Sequence, residues 1–125
     1  DVWKAAVAGA PVTDWLMDYS ISYYQEGDAF LFGSSPWTNE GWDIWRAQSP
    51  ISYVRNVKAP TLILSEVMDT NVPIVNAEEW YHGLRDNGVP VEFYAYPGTS
   101  HLPHDIVQMT DMYRRWVGWM EKYLK

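Results

Sequence analysis

Three short apolar runs, each followed by a segment with helical spacing, most constrain the fold of this chain. The runs cover residues 2–10, 61–65 and 89–97, and they are rich in Val, Ala, Ile, Leu, Phe and Tyr. Continuous runs of this kind are typical of strands in a parallel sheet, because helices cover both faces of such a sheet. The order strand, helices, strand, helix, strand, helix therefore predicts an α/β fold whose parallel strands are joined by right-handed crossovers.

The segments between the runs carry helix signals. Apolar and aromatic residues recur at helical spacing and are preceded by capping residues such as Thr13 or Asp14, and Thr38 or Asn39. We expect residues 27–36, which contain Gly and Ser, to form a loop. The predicted helices span residues 14–25, 38–47, 74–86 and 105–122, the third of them ending at Asn87-Gly88.

The composition excludes several classes of protein. Among the 125 residues, 47% are hydrophobic and 20% are charged, which predicts a globular chain. The net charge of -7 argues against nucleic acid or an anionic membrane as a partner, since each requires a basic face. The absence of cysteine excludes disulfides, thiolate zinc sites and a cysteine nucleophile, and it slightly favours the cytoplasm, a reducing compartment.

Two loops at the carboxyl ends of predicted strands carry the candidate catalytic residues. Asp69 follows the strand TLILS, and His101 follows VPVEFYAYP within the sequence YPGTSHLP. The carboxyl ends of parallel strands meet at one edge of the sheet, so we expect these two side chains to lie together. A Ser-His-Asp triad needs such a pair, because the carboxylate orients an imidazole whose other nitrogen deprotonates the serine.

Other interpretations remain open on the residues alone. Asp69 also fits a turn or helix-capping aspartate, and His101 fits a surface turn. Ser100 does not fit a nucleophile elbow, because Leu102 replaces the second glycine of G-x-S-x-G. A metal site formed by His101, His104 and Asp105 lacks the helical histidine pair of the usual zinc motif, so we expect no metal and no cofactor.

A long segment of the chain resembles a known family. The segment is SPISYVRNVKAPTLILSEVMDTNVPIVNAEEWYHGLRDNGVPVEFYAYPGTSH, and it is similar to the end of the catalytic domain of prolyl oligopeptidase-type serine peptidases, which include dipeptidyl- and acylaminoacyl-peptidases. The opening KAAVAGAPVTDW resembles the strand after the nucleophile helix of that family. The resemblance implies that residues 1–125 are the C-terminal part of an α/β-hydrolase domain, with the nucleophile and any propeller domain upstream.

The resemblance also implies roles for individual residues. Asp69 matches the triad acid and His101 the triad base. The matching positions of the substrate site are Val12, Trp15, Tyr19, Asn71 and Val72. Two departures from the family pattern stand out, namely Asp18 where a tyrosine is common and Ser65-Glu66 where many members have His-Gly.

The function implied by the resemblance is that of a serine peptidase acting on short peptides, with a small or apolar residue before the cleaved bond. No G-x-S-x-G occurs in the 125 residues, so we expect them to be inactive without the remainder of the catalytic domain. A homo-oligomer formed through the last strand and last helix is a further expectation. The alternatives are an esterase of the same fold and a non-catalytic binding or assembly chain.

Overall fold

The computed structural model describes residues 2–101 and 103–125. Its centre is a three-stranded parallel sheet with the strands β1 (Ala6–Gly9), β2 (Thr61–Glu66) and β3 (Val91–Tyr96) in that order. Thr61 pairs with both Ala6 and Val91, so the three strands begin level with one another. The parallel α/β architecture predicted from the sequence is confirmed.

Five α-helices and one 3-10 helix surround the described sheet. Strands β1 and β2 are joined by three helices and by the 3-10 helix, whereas a single helix joins β2 to β3 and another follows β3. The helices are α1 (Trp15–Ile21), α2 (Gln25–Phe32), α3 (Gly41–Gln48), the 3-10 helix Pro50–Asn56, α4 (Val75–Asp86) and α5 (Ile106–Tyr123).

The expectation of a loop over residues 27–36 is wrong. Gln25–Phe32 form α2, so Gly27 lies inside a helix. Gly33 follows the helix in the left-handed conformation, with φ of 76°. Glycine adopts this conformation without a steric penalty and commonly ends helices. Gly33 therefore marks the end of a helix that contains Gly27, which a loop assignment from composition does not distinguish.

Strand β2 forms the core, and every one of its residues is buried. Successive side chains of a strand point to opposite faces of the sheet. Leu62 and Leu64 pack with Trp119 of α5 on one face, whereas Ile63 packs with Ala77 and Leu84 of α4 on the other. The helices α4 and α5 thus sandwich the sheet, and the loops that follow β2 and β3 emerge together at its carboxyl edge. Among residues 2–101 and 103–125, none of the helices combines the length and the hydropathy that a membrane span requires.

Candidate active site

The loops that follow β2 and β3 bring Asp69 and His101 into contact. His101 Nδ1 lies 2.8 Å from Asp69 Oδ2. The other carboxylate oxygen, Oδ1, accepts the backbone N–H groups of Asn71 at 2.8 Å and Val72 at 3.1 Å. The Asp69 side chain is completely buried. Both oxygens of this carboxylate are therefore hydrogen-bonded, as a buried charged group requires.

The contact with Asp69 fixes the tautomer of the imidazole. An ionised carboxylate has no proton to donate and can only accept hydrogen bonds. The ring nitrogen that faces Asp69, Nδ1, therefore carries the proton of neutral His101, and Nε2 carries the lone pair. The His101 side chain is 42% exposed, and Nε2 has no hydrogen bond to another residue in 2–101 or 103–125. The imidazole can therefore act as a general base toward a hydroxyl group that approaches from solvent or from another part of the protein.

The junction between α1 and α2 holds the loop that carries Asp69. Ser22 is almost completely buried and donates its hydroxyl hydrogen to the Asn71 carbonyl at 2.6 Å. Its oxygen also accepts the Tyr24 N–H at 3.0 Å. A backbone hydrogen bond from Tyr23 to Thr70, of 3.2 Å, adds a second link. The backbone that supplies two hydrogen bonds to Asp69 is thus fixed against the helices.

A second buried carboxylate, that of Glu66, holds the loop that carries His101. Glu66 is 3% exposed, and its Oε2 accepts the Ser100 N–H at 2.6 Å. A Cβ atom at Gly98 would lie 2.5 Å from the same oxygen, so a larger residue at this position would displace the Glu66 carboxylate. The Met68 N–H also donates to the Gly98 carbonyl at 3.0 Å. Sequence reasoning noted Glu66 only as a departure from the family pattern and missed this contact.

No hydrogen bond joins the side chains of Ser100 and His101 within the described residues. The backbone N–H of Ser100 is the group that Glu66 holds. Leu102, whose identity excludes a nucleophile elbow at this position, lies outside the described residues. In the part of the chain that the structure describes, no group of three histidine and carboxylate side chains is arranged to hold a metal ion.

A cleft of about 350 Å³ opens beside His101 and contains most of the residues expected at the substrate site. Tyr19 is the exception, because its ring packs edge-on against Trp45, with ring centroids 5.1 Å apart. Asp18, one residue earlier on α1, lines the cleft instead. The lining residues are Val12, Trp15, Asp18, Tyr24, Asp28, Asn71, Val72 and His101.

Asn76 of α4 fixes the position of Asp18 in this cleft. Its Nδ2 donates to Asp18 Oδ1 at 3.0 Å, and its Oδ1 accepts the N–H groups of Thr13 and Asp14, both at 3.1 Å. Asn76 is fully buried, and Asp18 is 2% exposed. One amide therefore ties the segment after β1 to both α1 and α4. Nothing in the sequence pattern distinguishes Asn76 from an ordinary polar residue on a helix.

The two carboxylates in the cleft are difficult to ionise. Burial, followed by the nearby negative charge of Asp28, raises the pKa of Asp18 from 3.8 to about 7, although the hydrogen bond from Asn76 opposes this change. Burial also raises the pKa of Asp28. Asp28 Oδ2 is buried and has no hydrogen-bond partner among the described residues. Asp28 falls in the segment predicted as a loop, so the sequence pattern did not identify it as a residue of the site.

A second cleft, of about 490 Å³, lies between α1, α3 and the 3-10 helix. Trp37, Trp42 and Arg46 are among its lining residues, and no histidine is. The rings of the two tryptophans pack together, with centroids 5.6 Å apart. We place the candidate active site at the smaller cleft, because it is lined by His101, a member of the only Asp–His pair in contact in the described part of the chain.

Comparisons with known proteins agree with the fold. The profile of the prolyl oligopeptidase family matches residues 1–125. An acylamino-acid-releasing enzyme of Arabidopsis thaliana is 32% identical over 133 residues, which cover 100% of this chain and 17% of the relative. The enzyme of that name from Mus musculus is 32% identical over 77 residues, which cover 62% of this chain and 10% of the relative.

Solved structures give the same result. An acylaminoacyl peptidase of Pyrococcus horikoshii matches with a TM-score of 0.88 and 28% identity, over 100% of this chain and 21% of that chain. This sequence therefore spans at most about a fifth of the length of these relatives. Together, the full-length match and the shared α/β-hydrolase architecture show that the chain belongs to the prolyl oligopeptidase family of serine peptidases.

Proposed function

We propose that this chain supplies the acid and the base of a Ser-His-Asp triad, Asp69 and His101, to a serine peptidase whose nucleophile lies outside the 125 residues. The observation that carries this proposal is the 2.8 Å contact between Asp69 Oδ2 and His101 Nδ1. The contact leaves Nε2 to accept a proton, and His101 lines a cleft that a hydroxyl group can enter. Asp69 and His101 follow neighbouring strands of one parallel sheet, an arrangement that positions triad residues in α/β-hydrolases.

The proposed reaction has two stages. In the first, His101 Nε2 removes the proton of the serine hydroxyl as its oxygen attacks the peptide carbonyl. The imidazolium, stabilised by Asp69, then gives that proton to the departing amine, and an acyl-enzyme remains. In the second stage, Nε2 takes a proton from water, the resulting hydroxide attacks the acyl-enzyme, and the proton returns to the serine. The serine and the groups that bind the oxyanion belong to the remainder of the domain.

Peptides are the proposed substrates, following the names of the relatives, which describe acylamino-acid-releasing and acylaminoacyl-peptidase activities. The cleft beside His101 would hold the residue whose carbonyl group is attacked. Val12, Trp15, Asn71 and Val72 line this cleft and would contact that residue. Asp18 takes the role that the sequence analysis assigned to Tyr19.

The remainder of the catalytic domain is the partner that the exposed surfaces favour. Val2 and Trp3, just before β1, are 86% and 75% exposed. On α5, Tyr113 and Val117 are 52% and 56% exposed. Parallel sheets are ordinarily covered on both faces, so large apolar side chains in water indicate missing neighbours. We propose that β1 pairs with the strand that leads to the serine, and that α5 is available for contact with a second copy.

Turnover assays on the complete polypeptide that contains these residues test the proposed function. We expect hydrolysis of acetyl-aminoacyl p-nitroanilides, and a loss of at least about 10⁴-fold in kcat for His101→Ala, because that variant has no general base. His82→Ala is the matched control, since His82 is an exposed residue of α4, and it should retain wild-type activity.

Two results would contradict the proposal. Turnover of p-nitrophenyl esters without any turnover of anilides would indicate an esterase. An absence of both activities, together with a serine that a fluorophosphonate does not label, would indicate a binding or assembly chain.

A further inference from the structure

The cleft beside His101 contains two carboxylates that have no cationic partner in the described part of the chain. Asp18 extends from α1 and Asp28 from α2, and both residues line the cleft. None of the ion pairs formed among residues 2–101 and 103–125 includes either of them. No lysine or arginine is among the residues that line the cleft. Two carboxyl groups without a cationic partner therefore lie where a substrate would bind.

Asp28 carries a buried carboxylate oxygen that no group of the described residues satisfies. The residue is 7% exposed, and its Oδ2 is buried without a hydrogen-bond partner in the described residues. Buried polar atoms in native proteins are nearly always hydrogen-bonded, and an unpaired buried carboxylate is costly. The fold positions Asp18 alongside through the hydrogen bond from the fully buried Asn76. A donor from a bound molecule would satisfy Oδ2 and neutralise the pair.

The other walls of the cleft restrict the shape of such a molecule. Val12, Trp15 and Val72 provide apolar surface in the same cleft as the exposed imidazole and the carboxylates. Lysine and arginine side chains combine an aliphatic stem with a charged end, and they bury the stem against apolar surface. A simple inorganic cation would leave those walls without a partner. The lining therefore fits a long side chain whose cationic group reaches Asp18 and Asp28.

We infer that the cleft is a specificity pocket for a cationic side chain, lysine or arginine, at the residue whose carbonyl is attacked. This inference rests on the proposed function, because the proposed triad defines which residue enters the cleft. It departs from the small or apolar residue that the family resemblance implies. The raised pKa of each carboxylate is consistent with a pocket that has no cation when it is empty. A bound ammonium or guanidinium group would favour the ionised forms.

Paired substrates provide the direct test on the complete polypeptide. The p-nitroanilides of acetyl-lysine and acetyl-norleucine have similar stems and differ in the ammonium group. We expect kcat/KM to be about 100-fold higher for the lysine substrate, as charge-assisted hydrogen bonds in a buried site would produce. Equal values would overturn the inference. The third substrate is norleucine p-nitroanilide with a free α-amino group. If its kcat/KM exceeds that of acetyl-norleucine p-nitroanilide about 100-fold, the cleft binds the cation of the peptide terminus, which also overturns the inference.

Charge-removing variants assign the preference to this cleft. We expect Asp18→Asn and Asp28→Asn each to reduce the lysine-to-norleucine ratio about tenfold. The ratio is measured on the same enzyme, so a loss of folded protein cancels. Asp86→Asn is the control, because it removes the same charge from the last residue of α4. Asp86 does not line the cleft, so this variant should leave the ratio unchanged. An unchanged ratio in both cleft variants would overturn the inference.

Fluorophosphonate labelling separates this inference from the proposed function. Labelling of a serine, together with equal turnover of the two acetylated anilides, would refute the cationic pocket and leave the triad standing. An absence of labelling would refute the triad itself. If neither anilide is hydrolysed, protection against labelling replaces turnover. We then expect n-pentylamine to slow labelling more than 1-pentanol, and equal protection would overturn the inference.

Discussion

Replacing Asp69 with asparagine should reduce kcat about 10⁴-fold and leave the fold intact. The amide oxygen can accept the same two N–H groups, those of Asn71 and Val72, at 2.8 and 3.1 Å. The amide nitrogen then occupies the position of Oδ2, which is 2.8 Å from His101 Nδ1 in the wild type. That nitrogen is a donor, so Nδ1 must become the acceptor and the proton moves to Nε2. The general base is lost, at a cost of about 5 kcal/mol in transition-state stabilisation.

Asp105→Asn is the matched control for this experiment. Asp105 Oδ1 also accepts two backbone N–H groups, from Val107 at 2.9 Å and Gln108 at 3.0 Å, but it does so at the start of α5. Asparagine caps helices about as well as aspartate, so we expect kcat within about twofold of the wild type. Anilide turnover gives kcat, and urea unfolding verifies the fold. A folded Asp69→Asn protein that retains more than about a tenth of wild-type kcat would refute the assigned role of Asp69.

Three further predictions concern the buried carboxylates. Glu66→Ala removes the acceptor of the Ser100 N–H and should lower the free energy of unfolding by about 1–3 kcal/mol. We expect kcat to fall by a larger factor than KM changes, and we expect Glu66→Gln, which keeps an acceptor, to restore kcat. Gly98→Ala places a methyl group 2.5 Å from Glu66 Oε2, so we expect a lower urea midpoint, and an unchanged midpoint would contradict the contact. Asp18 is close to three other aspartates, Asp14, Asp28 and Asp69. Its pKa is higher in the folded than in the unfolded state, so the free energy of unfolding should fall as the pH rises from 3.8 to about 7. Asp18→Asn should therefore gain up to about 4 kcal/mol over the wild type between pH 4 and pH 8, and a constant difference in unfolding free energy would refute the raised pKa.

The local features of this fold could be predicted from the sequence. The apolar runs at β2 and β3 predicted the parallel sheet, because a strand buried on both faces must be apolar throughout. The loops that follow these strands then predicted that Asp69 and His101 lie together at one edge of the sheet. Helix α2 was missed because Gly27 and Gly33 resemble loop residues, although one lies within the helix and the other ends it.

The wall of the cleft could not be predicted in the same way. One residue along an α-helix turns the side chain by about 100°, so the exchange of Tyr19 for Asp18 places a different residue at the cleft. The contacts of Asn76 join segments 62 and 58 residues apart in the chain, and no local pattern records such contacts. Asp28 Oδ2 is buried by the packing of α2, a helix that the sequence analysis did not predict.

The central claim is that His101 serves a serine outside these 125 residues, and mapping a covalent adduct tests it most directly. The complete polypeptide is treated with a fluorophosphonate, digested, and analysed by mass spectrometry to locate the modified residue. We expect one modified serine, outside this sequence, and no modification in the His101→Ala variant. An adduct on Ser100, or on any other serine of the 125 residues, would contradict the claim.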